Sequence, residues 1–311
     1  MQNHEPTVTI NGFVEADISK LMSSINLDNP HLFFVDFHYQ IQVGFLGQTI
    51  KLNYIYNKAD AVILTEKVKK VCNKILHKVI GQTEFEKELS LHDILVQNVL
   101  YDDVAKKNLL KFHVRSNTVL GVLFYKTAVC EGIAKTFKFL LNALDIKCLI
   151  VTGDTMDNSS DSADPNVLHA WNMVKIDGKA YHVDLTWDIN SSQKNIIRHD
   201  YFNLTDKDIL SDHIVFKDYP HCNSEDNNYF YKKGLMVMNK ADLLRIIAEK
   251  IKKGENSAEF KISNGVFEND SELKYHVKKC LDTLLRSSNG YAAHFAKIAG
   301  RSVYAVEWVV K

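Results

Sequence analysis

Three residues in this chain have the types and order of a covalent acyl-transfer site: Cys130, His169 and Asp184. A thiol can attack a carbonyl, an imidazole can move the proton, and a carboxylate can hold that imidazole in one tautomer. Cys130 stands three residues before Ile133, on the face formed by Ile133, Phe137, Leu140, Leu141 and Leu144, whose spacings of three and four are those of a helix. With Thr127 as N-cap, Cys130 falls in the first helical turn. There, unpaired backbone N–H groups and the positive dipole end favour thiolate over thiol. Gly132 lowers helix propensity by about 1 kcal/mol relative to alanine, and makes sense where another segment or a substrate approaches closely.

The histidine and aspartate are placed by counting. Asp177-Gly178 is a two-residue hairpin turn signal, and it sets Ile176 opposite Lys179. Continuing that register puts Trp171 opposite Asp184 and His169 opposite Thr186. His169 and Asp184 then share one face as diagonal neighbours, about 7–8 Å apart before their side chains reach towards each other. A slip of one residue would separate them onto opposite faces. His182, opposite Met173 on that same face, is the competing base, without an evident carboxylate partner. Trp171 and Trp187 either pack the hairpin or line a substrate groove.

The elements around these residues follow from periodicity. Residues 13–27 carry a helical stripe that stops before Asp28-Asn29-Pro30. Residues 33–43 alternate as a strand, turn at Gly44–Gly47, and return through Ile50, Leu52, Tyr54 and Tyr56. A helix with a lysine-rich solvated face occupies 59–80. The next opens on a Thr83–Glu86 capping box and carries His92 as a core histidine. The stretch 153–167 reads as a solvated polar loop bordering His169; it lacks the glycine and glutamate of a calcium loop. Residues 201–216 begin extended and turn helical. A compositional break near Lys233-Gly234 precedes a helix, strand, helix, strand tail over 241–253, 258–263, 271–286 and 302–310. Three regions result: 1–82, 83–232 and 233–311.

Bulk properties exclude several classes. The 311 residues contain 38 basic and 38 acidic side chains, so no net charge draws the chain to nucleic acid or an anionic membrane. Five scattered cysteines without a CxxC pattern form neither a disulfide framework nor a zinc site, and neither cofactor nor metal is expected. No apolar run approaches the ~20 residues of a membrane span. The N-terminal sequence lacks a leader pattern, so the expectation is cytoplasmic as the sequence stands, or secreted if a leader was removed.

The segments VCEGIAKTFKFLLNALDIKC, HAWNMVKIDGKAYHVDLTWD and YFNLTDKDILSDH resemble bacterial members of the transglutaminase-like superfamily of papain-type folds. The similarity is specific over about residues 85–215. It implies an α+β core in which the nucleophile helix packs on an antiparallel sheet, with flanking α/β N- and C-terminal regions. Cys130, His169 and Asp184 match the family's triad. The resemblance implies attack by the Cys130 thiolate on a peptide-type amide, protonation of the leaving amine by His169, and resolution of the thioester by water or an amine. The partner is then a peptide or protein substrate, such as a cell-wall peptide. Where relatives carry an aromatic-glycine pair this chain has Leu120-Gly121, so the side-chain oxyanion donor is unassigned and the Cys130 N–H is the donor named. The alternative reading is a binding or scaffold protein with a vestigial triad. A third, acyl transfer from a thioester cofactor, lacks its arginine and glycines before the cysteine. Oligomeric state is not indicated.

Overall fold

The computed structural model describes residues 1–10, 15–44, 47–107, 113–156, 166–192, 196–285, 290–297 and 302–310. Backbone contacts divide the chain into two compact units, Met1–Asn190 with Leu204–Ser224, and Ser191–Asn203 with Glu225–Lys311. Residues 83–232 thus contribute to both.

In the first unit, strands β1 (Thr7–Ile10), β2 (Val35–Gly44) and β3 (Gly47–Tyr54) form an antiparallel sheet in the order β1-β3-β2. Helix α1 (Glu15–Asp28) lays Ile18 and Met22 on Ile50 and Leu52 of that sheet. Helix α2 (Lys58–Leu76) ends four residues earlier than periodicity suggested. Helix α3 (Glu84–Asn98) opens on the expected capping box: Glu86 N–H donates to Thr83 Oγ1 at 3.2 Å, and Thr83 N–H donates to Glu86 Oε2 at 3.1 Å. Strand β4 (Leu100–Tyr101) pairs in parallel with β5 (Thr127–Ala128). Between them run the short helices α4 (Asp103–Lys107) and α5 (His113–Ser116) and a π-helical turn at Gly121–Tyr125.

Helix α6 (Cys130–Asn142) leads into a second sheet. That sheet contains β6 (Cys148–Met156), β7 (Asn166–Ile176), β8 (Lys179–Val183) and, after α7 (Leu185–Ser191) and α8 (Asp206–Ile209), β9 (His213–Val215). Its order is β8-β7-β6-β9, antiparallel throughout. Two expectations are corrected here. Residues 153–156 and 166–167 are strand rather than loop, because β6 pairs on both sides, with β7 and β9; residues 157–165 lie outside the described residues. Residues 201–216 contain only a short helix and then strand β9, whose backbone groups are satisfied by the edge of β6.

The nucleophile-bearing helix packs on the sheet as expected: Ile133, Phe137, Leu140 and Leu141 are buried, and Asn172 Nδ2 of β7 donates to the Ala134 carbonyl at 3.0 Å. Its opposite side is also covered. Lys135 and Lys138 are buried, with Lys135 Nζ donating to Asn26 Oδ1 at 2.7 Å and Lys138 Nζ to Asp28 Oδ1 at 3.1 Å, both on α1. Asn26 Nδ2 in turn donates to Glu131 Oε1 at 3.1 Å.

The second unit is a sheet of β10 (Met236–Val237), β11 (Ser257–Ile262), β12 (Tyr291–Lys297) and β13 (Val303–Val310), in the order β10-β11-β13-β12. It packs with α9 (Tyr229–Lys232), α10 (Lys240–Lys252) and α11 (Asp270–Leu284) around Phe230, Phe260, Val277 and Trp308. Strand β12 carries no period-two burial pattern, which is why its sequence did not announce it. Residues 198–200 bring a buried charge cluster into this unit. Arg198 pairs with both oxygens of Asp200 (2.6 and 2.8 Å), and His199 Nδ1 lies 2.8 Å from Glu259 Oε2. Arg198→Ala leaves buried carboxylates uncompensated, and is expected to lower unfolding free energy by about 3–5 kcal/mol in denaturant titration.

Candidate active site

The hairpin that places the histidine forms as counted. Asp177 and Gly178 take φ of 50° and 81°, the two positive values of a type I′ turn, and Ile176 pairs with Lys179, Met173 with His182 and Asn172 with Val183. The ladder ends there. Asp184 stands just past β8, and Thr186 belongs to α7 instead of facing His169. His169 Nε2 nevertheless lies 2.6 Å from Asp184 Oδ2. The other carboxylate oxygen, Oδ1, accepts the Thr186 and Trp187 N–H groups at 2.9 and 3.2 Å. The start of α7 therefore fixes the carboxylate from one side and the histidine from the other.

Cys130 is the first residue of α6, but its N-cap is Val129 and not Thr127. Thr127 is committed to β5, and the Val129 side chain makes no cap bond, so the first-turn N–H groups lack a side-chain acceptor. Among the five cysteines Cys130 alone is not buried. Burial pushes the Cys72 and Cys148 thiols up to about 12, and raises Cys222 and Cys280 as well. Gly132 is a close-approach position, but the approaching group is the chain itself: a Cβ there would lie 2.1 Å from the Ser116 carbonyl oxygen. Gly132 is therefore not a substrate-groove residue. Gly132→Ala must displace α6 from α5, at about 1–3 kcal/mol of stability by thermal denaturation.

Burial lowers the affinity of His169 for a proton, but the Asp184 charge and hydrogen bond, followed by a hydrogen bond and charge from Cys130, outweigh it and raise the pKa to about 10. Since Nε2 faces Asp184, Nδ1 is the nitrogen left for Cys130. For Asp184, burial favours the neutral acid, yet the charge and hydrogen bond of His169, and those of His213, hold it well below the usual carboxylate range. His169's folded pKa exceeds its ordinary 6.5, so its stabilising contribution is complete below pH 6.5 and fades as pH rises towards 10. Asp184 contributes above pH 3.8 and loses that contribution in stronger acid. Denaturant midpoints are therefore expected to fall between pH 6.5 and 10, and His169→Gln to flatten that fall.

Trp171 is fully buried and does not line a groove. Its ring stacks at 5.9 Å behind His169, and its indole N–H donates to His182 Nδ1 at 3.1 Å. That bond leaves the proton of His182 on Nε2, which lies 3.1 Å from Asp206 Oδ1. The carboxylate partner that sequence left unidentified is therefore Asp206. Burial pushes His182 down to about 4, against the pull of Asp206, so it is a neutral support for Trp171. Trp187 is partly exposed, 6.4 Å from the His169 ring, and remains the groove candidate. His92 is a core histidine, bonded to Asp93 and Asp188 at 2.9 and 3.1 Å.

Two neighbours of these residues were missed. His213 on β9 lies 3.0 Å through Nε2 from Asp184 Oδ2. Tyr101 pairs with Ala128, two residues before the cysteine, and its phenol is pushed up by burial and then by the charges of Cys130, Asp103, Asp184 and Asp102. No local pattern marks either residue. His169, Asp184 and His213 are close enough to form a metal-binding group, as are His182, Asp206 and Cys222. In both groups each imidazole lies within hydrogen-bonding distance of a carboxylate, an arrangement that also stands without a metal. A cavity of about 800 Å³ lies at the far end of the sheet, lined by Lys147, Leu149, Met173, Lys175, Lys179 and His221, away from the triad.

The profile of the transglutaminase-like superfamily matches residues 65–185. No curated protein matches the chain. Similar solved structures include a TGase, at 12% identity and TM-score 0.34, covering 60% of this chain and 52% of that one. A proposed cysteine protease from Cytophaga hutchinsonii aligns at 23% identity and TM-score 0.29, covering 39% and 37%. A proposed protease from Parabacteroides distasonis aligns at 12% and 0.28, covering 49% and 39%. The chain spans about half or less of each of these structures. The matched residues include α6 and strands β6, β7 and β8 of the antiparallel sheet it packs on. Among the described residues, no helix is long and apolar enough to cross a membrane.

Proposed function

We propose that the protein is a cysteine-dependent enzyme acting on peptide-type amides, with Cys130 as nucleophile, His169 as base and acid, and Asp184 as the orienting carboxylate. The observation that carries this reading is the 2.6 Å bond from His169 Nε2 to Asp184, which presents Nδ1 to a thiol at a helix N-terminus. The Cys130 thiolate attacks the amide carbonyl carbon, the C–N bond breaks, and the amine leaves with the proton from His169. Water, deprotonated by His169, then cleaves the thioester and releases the acid. An amine in place of water would give transamidation; we favour hydrolysis, because nothing among the described residues of the site marks a second amine subsite. The Cys130 N–H, without an intrahelical acceptor, and the Tyr101 hydroxyl are the donors we assign to the oxyanion.

The reading is tested by iodoacetamide labelling at pH 7, with site-resolved mass spectrometry. Cys130 is expected to react first, at least about ten-fold faster than in His169→Ala. Equal rates in the two proteins would sink the ion pair, and with it the enzyme.

A further inference from the structure

The orienting carboxylate holds a second imidazole. His213 is fully buried, and its Nε2 reaches the same Asp184 Oδ2 that receives His169. Its other nitrogen, Nδ1, lies 2.6 Å from Asp212 Oδ1. The ring is enclosed by Trp171 edge-on at 4.8 Å, Trp187 at 4.9 Å and His169 at 5.6 Å. Both acceptors are carboxylate oxygens, and a neutral imidazole has one N–H to give. Satisfying both requires a proton on each nitrogen. The other solution, a neutral acid donating into a bare nitrogen, would have to sit either on Asp212, whose side chain is 18% exposed, or on Asp184, which already accepts three N–H bonds besides that of His213.

We propose that His213 is a positioning residue for the triad: a buried imidazolium clamped between Asp212 and Asp184 that fixes the orienting carboxylate and opposes the charging of His169. The proposal rests on reading Cys130, His169 and Asp184 as a catalytic triad. Its physical content is the alternation of charge from Asp212 through His213 and Asp184 to His169 and Cys130. A buried carboxylate serving one imidazole would hold that imidazole's proton at full strength. Sharing Asp184 between two cations weakens its hold on each, and the 5.6 Å ring separation adds direct repulsion. His213 therefore sets the upper pH limit of the thiolate–imidazolium pair. Among the described residues, the titratable groups around the His213 ring include Asp212 beside it in sequence, Asp184 after β8, His169 on β7 and His182 on β8. Strand β6 faces it with Thr155.

The test is the pH profile of Cys130 carboxymethylation by iodoacetate in the full chain, read at Cys130 by mass spectrometry. The wild-type profile should be bell-shaped, with thiolate formation on the acid limb and loss of the His169 proton on the alkaline limb. His213→Gln keeps an N–H for Asp184 without a charge. It is expected to move the alkaline limb up by about one pH unit, a ten-fold change in His169 acidity. Asp212→Asn, at a partly exposed position, should shift it the same way by less, and serves if the glutamine variant does not fold. Uniform slowing with an unmoved limb, or a downward shift, would mean that His213 is merely packing and overturns the proposal. Histidine ¹⁵N NMR supplies an independent readout: the signal lost in His213→Gln should show both nitrogens protonated at neutral pH, and one protonated nitrogen overturns the clamp. If instead wild-type Cys130 gives no bell and ignores His169→Ala, the triad reading itself fails, a different result from an intact bell that ignores His213.

Discussion

Cys130→Ala is expected to lower turnover of a peptide-amide substrate by about a million-fold, the scale on which removal of a nucleophile acts when triad members work as one unit. No other thiol in the chain can substitute. Cys72, Cys148, Cys222 and Cys280 are buried, and burial raises the pKa of each. The fold should survive the change: Cys130 is half-buried at the first position of α6, where alanine is a good helix former. A thermal midpoint near that of wild type, together with a lost rate, separates chemistry from folding. Turnover persisting at even a hundredth of wild type would remove Cys130 from the mechanism.

Asp184→Asn is expected to cost about 10⁴-fold in kcat. The amide oxygen would keep the Thr186 and Trp187 N–H bonds, leaving the amide nitrogen to face His169 Nε2 and His213 Nε2. An N–H cannot accept from either ring. His169 must then place its proton on Nδ1, towards the thiol, and it ceases to be a base for it. Two imidazoles also lose a buried acceptor, so unfolding free energy should fall by about 1–3 kcal/mol, measured in denaturant at pH 6. A variant retaining more than a tenth of wild-type kcat would show that Asp184 does not set the tautomer.

What the sequence disclosed, and what it hid, divides along the range of the interactions involved. The His169–Asp184 pairing was legible because a two-residue Asp-Gly turn fixes a register that can be counted outward. The α6 helix was legible from its apolar spacing, whereas its cap was not: Thr127 has cap chemistry, but its backbone is taken by β4, a partner 27 residues earlier. Gly132 announced a close approach without naming the approaching group, because Ser116 arrives through tertiary packing. His213 and Asp206 were invisible for the same reason. Each meets its partner only after β9 and α8 fold back onto the sheet, and neither residue stands in a periodic pattern. The second unit's helices follow their amphipathic stripes closely. The allegiance of residues 191–203 to it depends on buried charges at Arg198 and Asp200 that composition does not reveal.

The tie between α1 and α6 bears on what can be cut away. The family match begins at residue 65, and a fragment starting there would discard Asn26 and Asp28. Lys135 and Lys138, on the helix that presents Cys130, would each lose an anchor on the side of that helix away from the sheet, keeping only Glu131 and the Cys148 carbonyl as partners. Two under-coordinated ammonium groups would then sit within three turns of Cys130, and water would enter to solvate them. The minimal autonomous piece of this core therefore starts at α1, some fifty residues before the region that the family profile matches.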